Sequence, residues 1–283
     1  QVTIWTGNNN STYNNGRNWT GSAPTGGDTV YIVNSSTDIT GGNFQSTSLK
    51  EFRVGPSYTG NIGTSSAPLR VMAERLVIDN QRSSINIRGS FRDIHIVSAN
   101  NEIKVGGSGN SKLDRLMVHA NNSKYEMFDG QCNRLIVSGN NTKVTAPSGI
   151  TNDNLLATVA GFDEIRCARG SVVASSSGVN DLKATGSVEI EGTANIFNAR
   201  LLSGSRVRTR TSGNLTGRLT MFDGTFDVRD ADTGDSFAVT NADLFGGRIY
   251  TLLAEQDLTF SNNASILGPV DFQLKAGSTV AVS

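Results

Sequence analysis

The 283-residue sequence predicts an all-β chain wound as a single-stranded parallel β-helix (β-solenoid), with coils of about 20 residues and an amino-terminal cap. Three observations carry that expectation. A short apolar motif recurs along the middle of the chain. Turn formers are abundant, with 31 Gly and 28 Asn, and both tolerate the left-handed backbone that tight corners need. The apolar residues, 36% of the chain, fall in short bursts that alternate with polar ones and follow no helical period. This composition argues against helix bundles, coiled coils and dinucleotide-binding α/β enzymes. It fits a long, thin core.

The recurring motif is apolar, two mostly polar residues, a large aliphatic residue, any residue, then a smaller apolar one. It reads Leu49-x-x-Phe52-x-Val54, Ala73-x-x-Leu76-x-Ile78, Phe91-x-x-Ile94-x-Ile96 and Leu113-x-x-Leu116-x-Val118. It continues as Cys132-x-x-Leu135-x-Val137, Phe162-x-x-Ile165-x-Cys167 and Val179-x-x-Leu182-x-Ala184. The longest gap holds Ala146-Pro147-Ser148-Gly149 and Asn152-Asp153-Asn154, which reads as a protruding loop. Most motifs are followed by an Asn or Gly corner and a second alternating run. Ala120-Asn121-Asn122 precedes Ser123–Met127, and Gly139-Asn140-Asn141 precedes Thr142–Thr145. Later coils continue less regularly through Ser187–Ile190, Arg206–Val207, Thr225–Val228 and the closing run from Phe272.

Parallel pairing of successive coils at about 4.8 Å turns each motif position into a column. The expected inward columns are Phe52, Leu76, Ile94, Leu116, Leu135, Ile165, Leu182 and, two residues on, Val54, Ile78, Ile96, Val118, Val137, Cys167, Ala184. Corner Asn side chains are suited to hydrogen bonding up such a ladder. The motif also resembles the strand of a leucine-rich repeat, which would require a helical or extended segment after each strand; a second β-rich run stands there instead.

The amino terminus departs from the motif. It reads Trp5-Thr6-Gly7, then an Asn-rich stretch, then Asn18-Trp19-Thr20-Gly21, Pro24 and Gly27-Asp28-Thr29-Val30-Tyr31-Ile32. An uncovered first coil would invite end-to-end aggregation, so Trp5, Trp19 and Asp28 are the capping candidates. Residues 1–45 are expected to form a cap or attachment segment and residues 46–283 the solenoid. The first 32 or so residues resemble the opening segment of β-solenoid proteins on bacterial surfaces and in phage particles. That resemblance implies a non-enzymatic structural component at the virion surface: a head-decoration protein, a head fibre or a spike. Its partners would be capsid or other virion proteins, further copies of itself in an assembly such as a trimer, and a host-surface glycan. The alternatives are a glycan-depolymerising β-helix of the tailspike or lyase kind and a secreted β-helical adhesin.

The chemistry-bearing residues are few. Only His95 and His119 are present, both expected to face outward, with no Cys or carboxylate at metal-ligand spacing. There is no Gly-x-Ser-x-Gly elbow and no phosphate-binding loop. Cys132 and Cys167 fall in different columns and read as buried small hydrophobes. Asp93, Asp114, Asp163 and Glu164 are the carboxylates that a glycan-cleaving groove would use. Asp93, however, sits in an outward column running Glu51, Arg75, Asp93, Arg115, Arg134, Glu164, Asp181, so a structural charge ladder is expected. Asp230-Ala231-Asp232-Thr233-Gly234-Asp235 begins like a calcium loop but lacks a closing Glu, and a polar turn is expected. No cofactor or metal is anticipated.

Lys plus Arg balance Asp plus Glu at 25 each, with pI near 6.9, which gives no electrostatic footprint for nucleic acid. No apolar run approaches the roughly 20 residues of a membrane helix, so membrane insertion is not expected. An initial Gln1 in place of Met implies either a removed segment or a shifted start. One outward column is unusual: Arg53, Val77, His95, Met117, Ile136, Arg166, Lys183. Val77, His95, Met117 and Ile136 would form an apolar stripe flanked by bases, a candidate interface. Alternatively, inserts such as residues 146–160 cover it.

Overall fold

The computed structural model describes residues 1–41, 47–99, 103–107, 112–121, 124–127, 131–137, 143–146, 162–167, 171–175, 179–192, 195–211, 213–228, 237–251 and 258–274. Alternating β-branched, aliphatic and polar residues cannot bury one face alone, and parallel stacking of like on like solves that problem. Every strand pairing among the described residues is parallel.

Two strand columns result. The first sheet runs from Val2–Ile4 and Thr29–Ile32 through Leu49–Val54, the second halves of Leu69–Asp79 and Ile85–Ser98, and Lys112–Val118, to Gln131–Val137. It continues through Phe162–Cys167, Val179–Ala184, Ile196–Leu201, Leu215–Met221, Phe237–Leu244 and Leu258–Ile266. The second sheet starts with the first halves of the two long strands. It then takes in Ile103–Gly107, Lys124–Met127, Lys143–Ala146, Ser171–Ser175 and Ser187–Gly192. Its last members are Arg206–Thr211, Thr225–Asp227, Arg248–Tyr250 and Asp271–Gln273. The protein is therefore a β-solenoid of about 22-residue turns. Because both segments of a coil are strands, the leucine-rich alternative does not apply.

The register reproduces the expected columns residue by residue. Phe52 pairs with Leu76, Leu76 with Ile94, Ile94 with Leu116, Leu116 with Leu135, Leu135 with Ile165 and Ile165 with Leu182. The column then runs on through Ala199, Leu219, Ala242 and Ala264. Facing it, Ile85, Ile103, Tyr125, Val144, Val172, Val188, Val207, Phe226, Ile249 and Phe272 form the matching position of the second sheet. Isolated bridges extend it upward through Ile62 to Ile39. Phe52, Leu76, Ile94, Leu116, Val207, Phe226 and Ile249 are fully buried, and each such side chain contributes roughly 1.5–3 kcal/mol of burial.

Corners divide into two kinds. From the strand Leu69–Asp79 onward, passing from first sheet to second takes between two residues (185–186) and five (119–123). The return is continuous strand within Leu69–Asp79 and Ile85–Ser98 and takes as few as three residues later (128–130), but it also holds residues 147–161, 228–236 and 251–257. Corner Asn residues bond up the ladder: Asn195 Oδ1 accepts from Asn214 N at 2.8 Å, and Asn214 Oδ1 from Ala238 N at 2.9 Å. At the short corner Gly204, Gly224 and Gly247 occur in successive coils with φ of +79°, +86° and +91°, Gly247 lying against Gly224. A Cβ on Gly224 would lie 2.1 Å from Ser205 Oγ, so close approach and backbone both require glycine there.

Candidate functional site

The amino-terminal segment combines strands with a plug. Val2–Ile4 and Thr29–Ile32 already belong to the first sheet, so residues 1–45 supply coils as well as cover. The loop between them folds an aromatic cluster inward. Trp5 and Trp19 meet edge to face at 5.1 Å and form an antiparallel bridge, and Tyr13 meets Trp19 at 5.1 Å. Tyr13 also stacks on Phe52 at 6.4 Å. Each indole finds a partner, Trp19 Nε1 donating to Tyr13 O at 2.7 Å and Trp5 Nε1 to Thr37 O at 3.3 Å. Buried Asn18 ties the loop down: its Oδ1 accepts from Asn9 N and Asn10 N, and its Nδ2 donates to Asn10 Oδ1 and Thr12 O. Asp28 closes the turn that follows, accepting from Thr25 N at 2.9 Å and Thr25 Oγ1 at 3.1 Å. The Thr25 amide bond holds its carboxyl below the ordinary carboxylate range against the opposing effect of burial. Tyr13, central to this plug, carries no motif that distinguishes it in the sequence.

On the outer face of the first sheet, Glu51, Arg75, Asp93, Arg115, Arg134, Glu164 and Asp181 stand in one column. Asp93 has no exposed side-chain surface, although it points away from the core. Arg115 clamps it with two hydrogen bonds, Nε to Oδ1 and NH2 to Oδ2, both 3.0 Å, and Arg92 Nε lies 3.7 Å away. Burial alone would raise its pKa, but the Arg115 hydrogen bonds and the Arg115 and Arg92 charges lower it overall. A carboxyl held ionised in this way is unsuited to general-acid work. Asp114 is exposed one position away. Asp163 and Glu164 lie on the strand Phe162–Cys167, with Glu164 between Arg134 and Asp181.

The neighbouring column pairs Arg53 with Val77, Val77 with His95, His95 with Met117, Met117 with Ile136 and Ile136 with Arg166. Its register is the expected one; its exposure is not. Val77 is only 4% exposed, while His95, Met117 and Ile136 are half-buried. Arg53 stands opposite Val77 in the register, and the stems of long charged side chains commonly lie over small apolar neighbours. His95 Nε2 and Arg75 Nε are buried without hydrogen-bond partners among the described residues. Burial first, then the Arg75 charge, hold His95 below its ordinary pKa.

The strand register sets Cys132 opposite Phe162 and Cys167 opposite Val137, five positions apart along adjacent strands. Asp230–Asp235 and the insert at 147–160 lie outside the described residues. Among the described residues no cluster of three or more metal-ligating side chains occurs, and no helix is long and apolar enough to cross a membrane.

Two features escape the sequence pattern. On the second sheet's outer face, Arg206, Thr225, Asp227, Arg248 and Tyr250 line an open depression of about 280 Å³. Arg206 NH2 bonds Asp227 Oδ2 at 2.7 Å, Asp227 being 1% exposed, and Arg248 Nε bonds Asp271 Oδ2 at 2.9 Å. The other is an exposed aromatic corner at Phe222 and Phe245, whose rings stack at 5.2 Å. No protein-family model, curated protein or solved structure matches the chain.

Proposed function

We propose that the chain is a non-enzymatic structural component of a phage virion, a stiff β-solenoid rod that decorates or extends the particle surface as a head-decoration protein, head fibre or spike. The observation that carries the reading is the continuous parallel pairing of strands from Val2–Ile4 to Leu258–Ile266, plugged at its amino-terminal end by Trp5, Tyr13 and Trp19. A rod of this kind transmits load and holds a fixed spacing, and its first coil is closed to further strand addition. The outer carboxylates support the same reading. Asp93 and Asp227 are locked to arginines, as structural ladders require, and neither is poised as a free acid beside a second carboxylate.

The test is localisation. Purified particles from a phage carrying this gene are expected to contain the chain at regular copy number, by mass spectrometry, and to display rods labelled by an antibody against it. Particles lacking the chain would overturn the assignment. Depolymerisation of capsular polysaccharide by the pure protein would move it to the tailspike class. Recovery only from the bacterial surface would make it an adhesin.

A further inference from the structure

The short corner between the sheets carries an apolar ladder that the core does not use. In successive coils the residue just past the first-sheet strand is Leu202, Phe222, Phe245 and Leu267, linked by backbone bonds from Phe222 N to Leu201 O, Phe245 N to Met221 O and Leu267 N to Leu244 O. Leu202 is half-buried, but Phe222 is 48% exposed, Phe245 41% and Leu267 56%. Scattered exposed apolar side chains are ordinary; three in line on adjacent coils form a continuous ridge. The corner spans only three residues at Phe222 and at Phe245, so the ridge lies on a narrow edge.

We propose that this ridge is where a second copy of the chain packs, side by side, parallel and in register. Ring geometry speaks against a sugar as occupant. A saccharide stacks on an open ring face, whereas Phe222 and Phe245 lie 12° from parallel and turn those faces toward each other. A straight ladder with the coil repeat is matched by an identical ladder, and rotation about an axis parallel to the rod brings the two together at every level.

That operation places the first-sheet flank of one copy against the second-sheet flank of the next. Charge then fits at the centre of the ridge. At the level of Phe245 the first-sheet flank carries Asp243, 28% exposed and paired within the chain with Arg218, and the second-sheet flank carries Arg248, 53% exposed and paired with Asp271, so the contact would extend two existing ion pairs into a network. Asp243 of one copy therefore faces Arg248 of its neighbour. One level up, Thr220 faces Thr225. At the level of Leu202 the same operation sets Arg200 opposite Arg206, which bounds the contact to the coils of Phe222, Phe245 and Leu267.

The inference rests on the structural-rod reading and names a partner for it. Sedimentation equilibrium of the full chain is expected to show concentration-dependent self-association. Phe245→Asp should weaken that association roughly tenfold or more, and Phe222→Ser should act in the same direction, with circular dichroism unchanged for both. Under mild oxidation Phe245→Cys should form an intermolecular disulfide with its own counterpart, mapped by mass spectrometry, because parallel packing sets like against like. A monomeric parent, an unchanged mass in Phe245→Asp, or cross-linking only between Phe222→Cys and Leu267→Cys would overturn the proposal. So would loss of glycan-array binding in Phe245→Asp without a change in mass, which would assign the ridge to a saccharide. A monomer still found in particles sinks this interface and leaves the virion reading intact; an oligomer absent from particles does the reverse.

Discussion

Replacing Trp19 with Ala would open the plugged end of the rod, and the structure sets the scale of the effect. Trp19 is 95% removed from solvent, contacts two rings at 5.1 Å and donates a 2.7 Å hydrogen bond to Tyr13 O. Burying an indole removes at most about 250 Å² from water, or about 6 kcal/mol at 25 cal/mol per Å². Measured Trp-to-Ala changes cluster at about 3–5 kcal/mol, so about 4 kcal/mol is expected. In a solenoid each coil touches only its neighbours, and the loss should stay local. Native-state hydrogen exchange is the assay. Amides of Val2–Ile4 and Thr29–Ile32 should lose protection while those of Leu215–Met221 keep theirs. Trp5→Phe, which removes chiefly the 3.3 Å bond to Thr37 O, should cost only about 1 kcal/mol. Unchanged exchange in the first coils of Trp19→Ala, or an equal loss along the whole rod, would refute the reasoning.

Three further outcomes follow from the described geometry. Gly224→Ala should destabilise by about 2–3 kcal/mol in urea titration, because a left-handed backbone costs about 1–2 kcal/mol and the new Cβ also collides with Ser205 Oγ. Gly27→Ala, with φ +80° and nothing within 4 Å, should cost only the backbone part, about 1 kcal/mol. Asp93 is held below its unfolded pKa of about 3.9. Its contribution to stability is therefore present above that value and lost as pH falls through the folded pKa; Asp93→Asn should flatten this acid limb in thermal melts. For His95 the sign runs through the neutral form. The unfolded chain takes up a proton near about pH 6.5 before the folded one does, so stability should decline below that pH and His95→Gln should remove the decline.

The columns from Phe52 to Leu182 were legible because alternation and a near-constant repeat fix both strand identity and register. The coils after residue 195 were harder to read for a definite reason. The strand Leu215–Met221 carries one extra residue before Arg218, where its register against Ile196–Leu201 and Phe237–Leu244 shifts. That bulge changes the apolar spacing from Leu215 to Leu219 by one and hides the motif. Ile39 and Ile62 were invisible because each is a single apolar residue in a polar loop, joined to the second sheet only by isolated bridges. The outer face was legible in register but not in depth. Column position places Asp93 and Val77 outside the core, yet Arg115 from the next coil covers Asp93 and Val77 is buried as well.

The two kinds of corner have a practical consequence. From the strand Leu69–Asp79 onward, the large length changes fall on the return from second sheet to first, at residues 147–161, 228–236 and 251–257, while the opposite corner takes at most five residues. One long edge of the protein thus accepts connections of different length while parallel strand pairing continues on either side of them. The other is held narrow by Gly204, Gly224 and Gly247. Foreign peptides grafted along the permissive edge should be displayed at multiples of about 4.8 Å, a ruler for spacing epitopes or ligands on a surface.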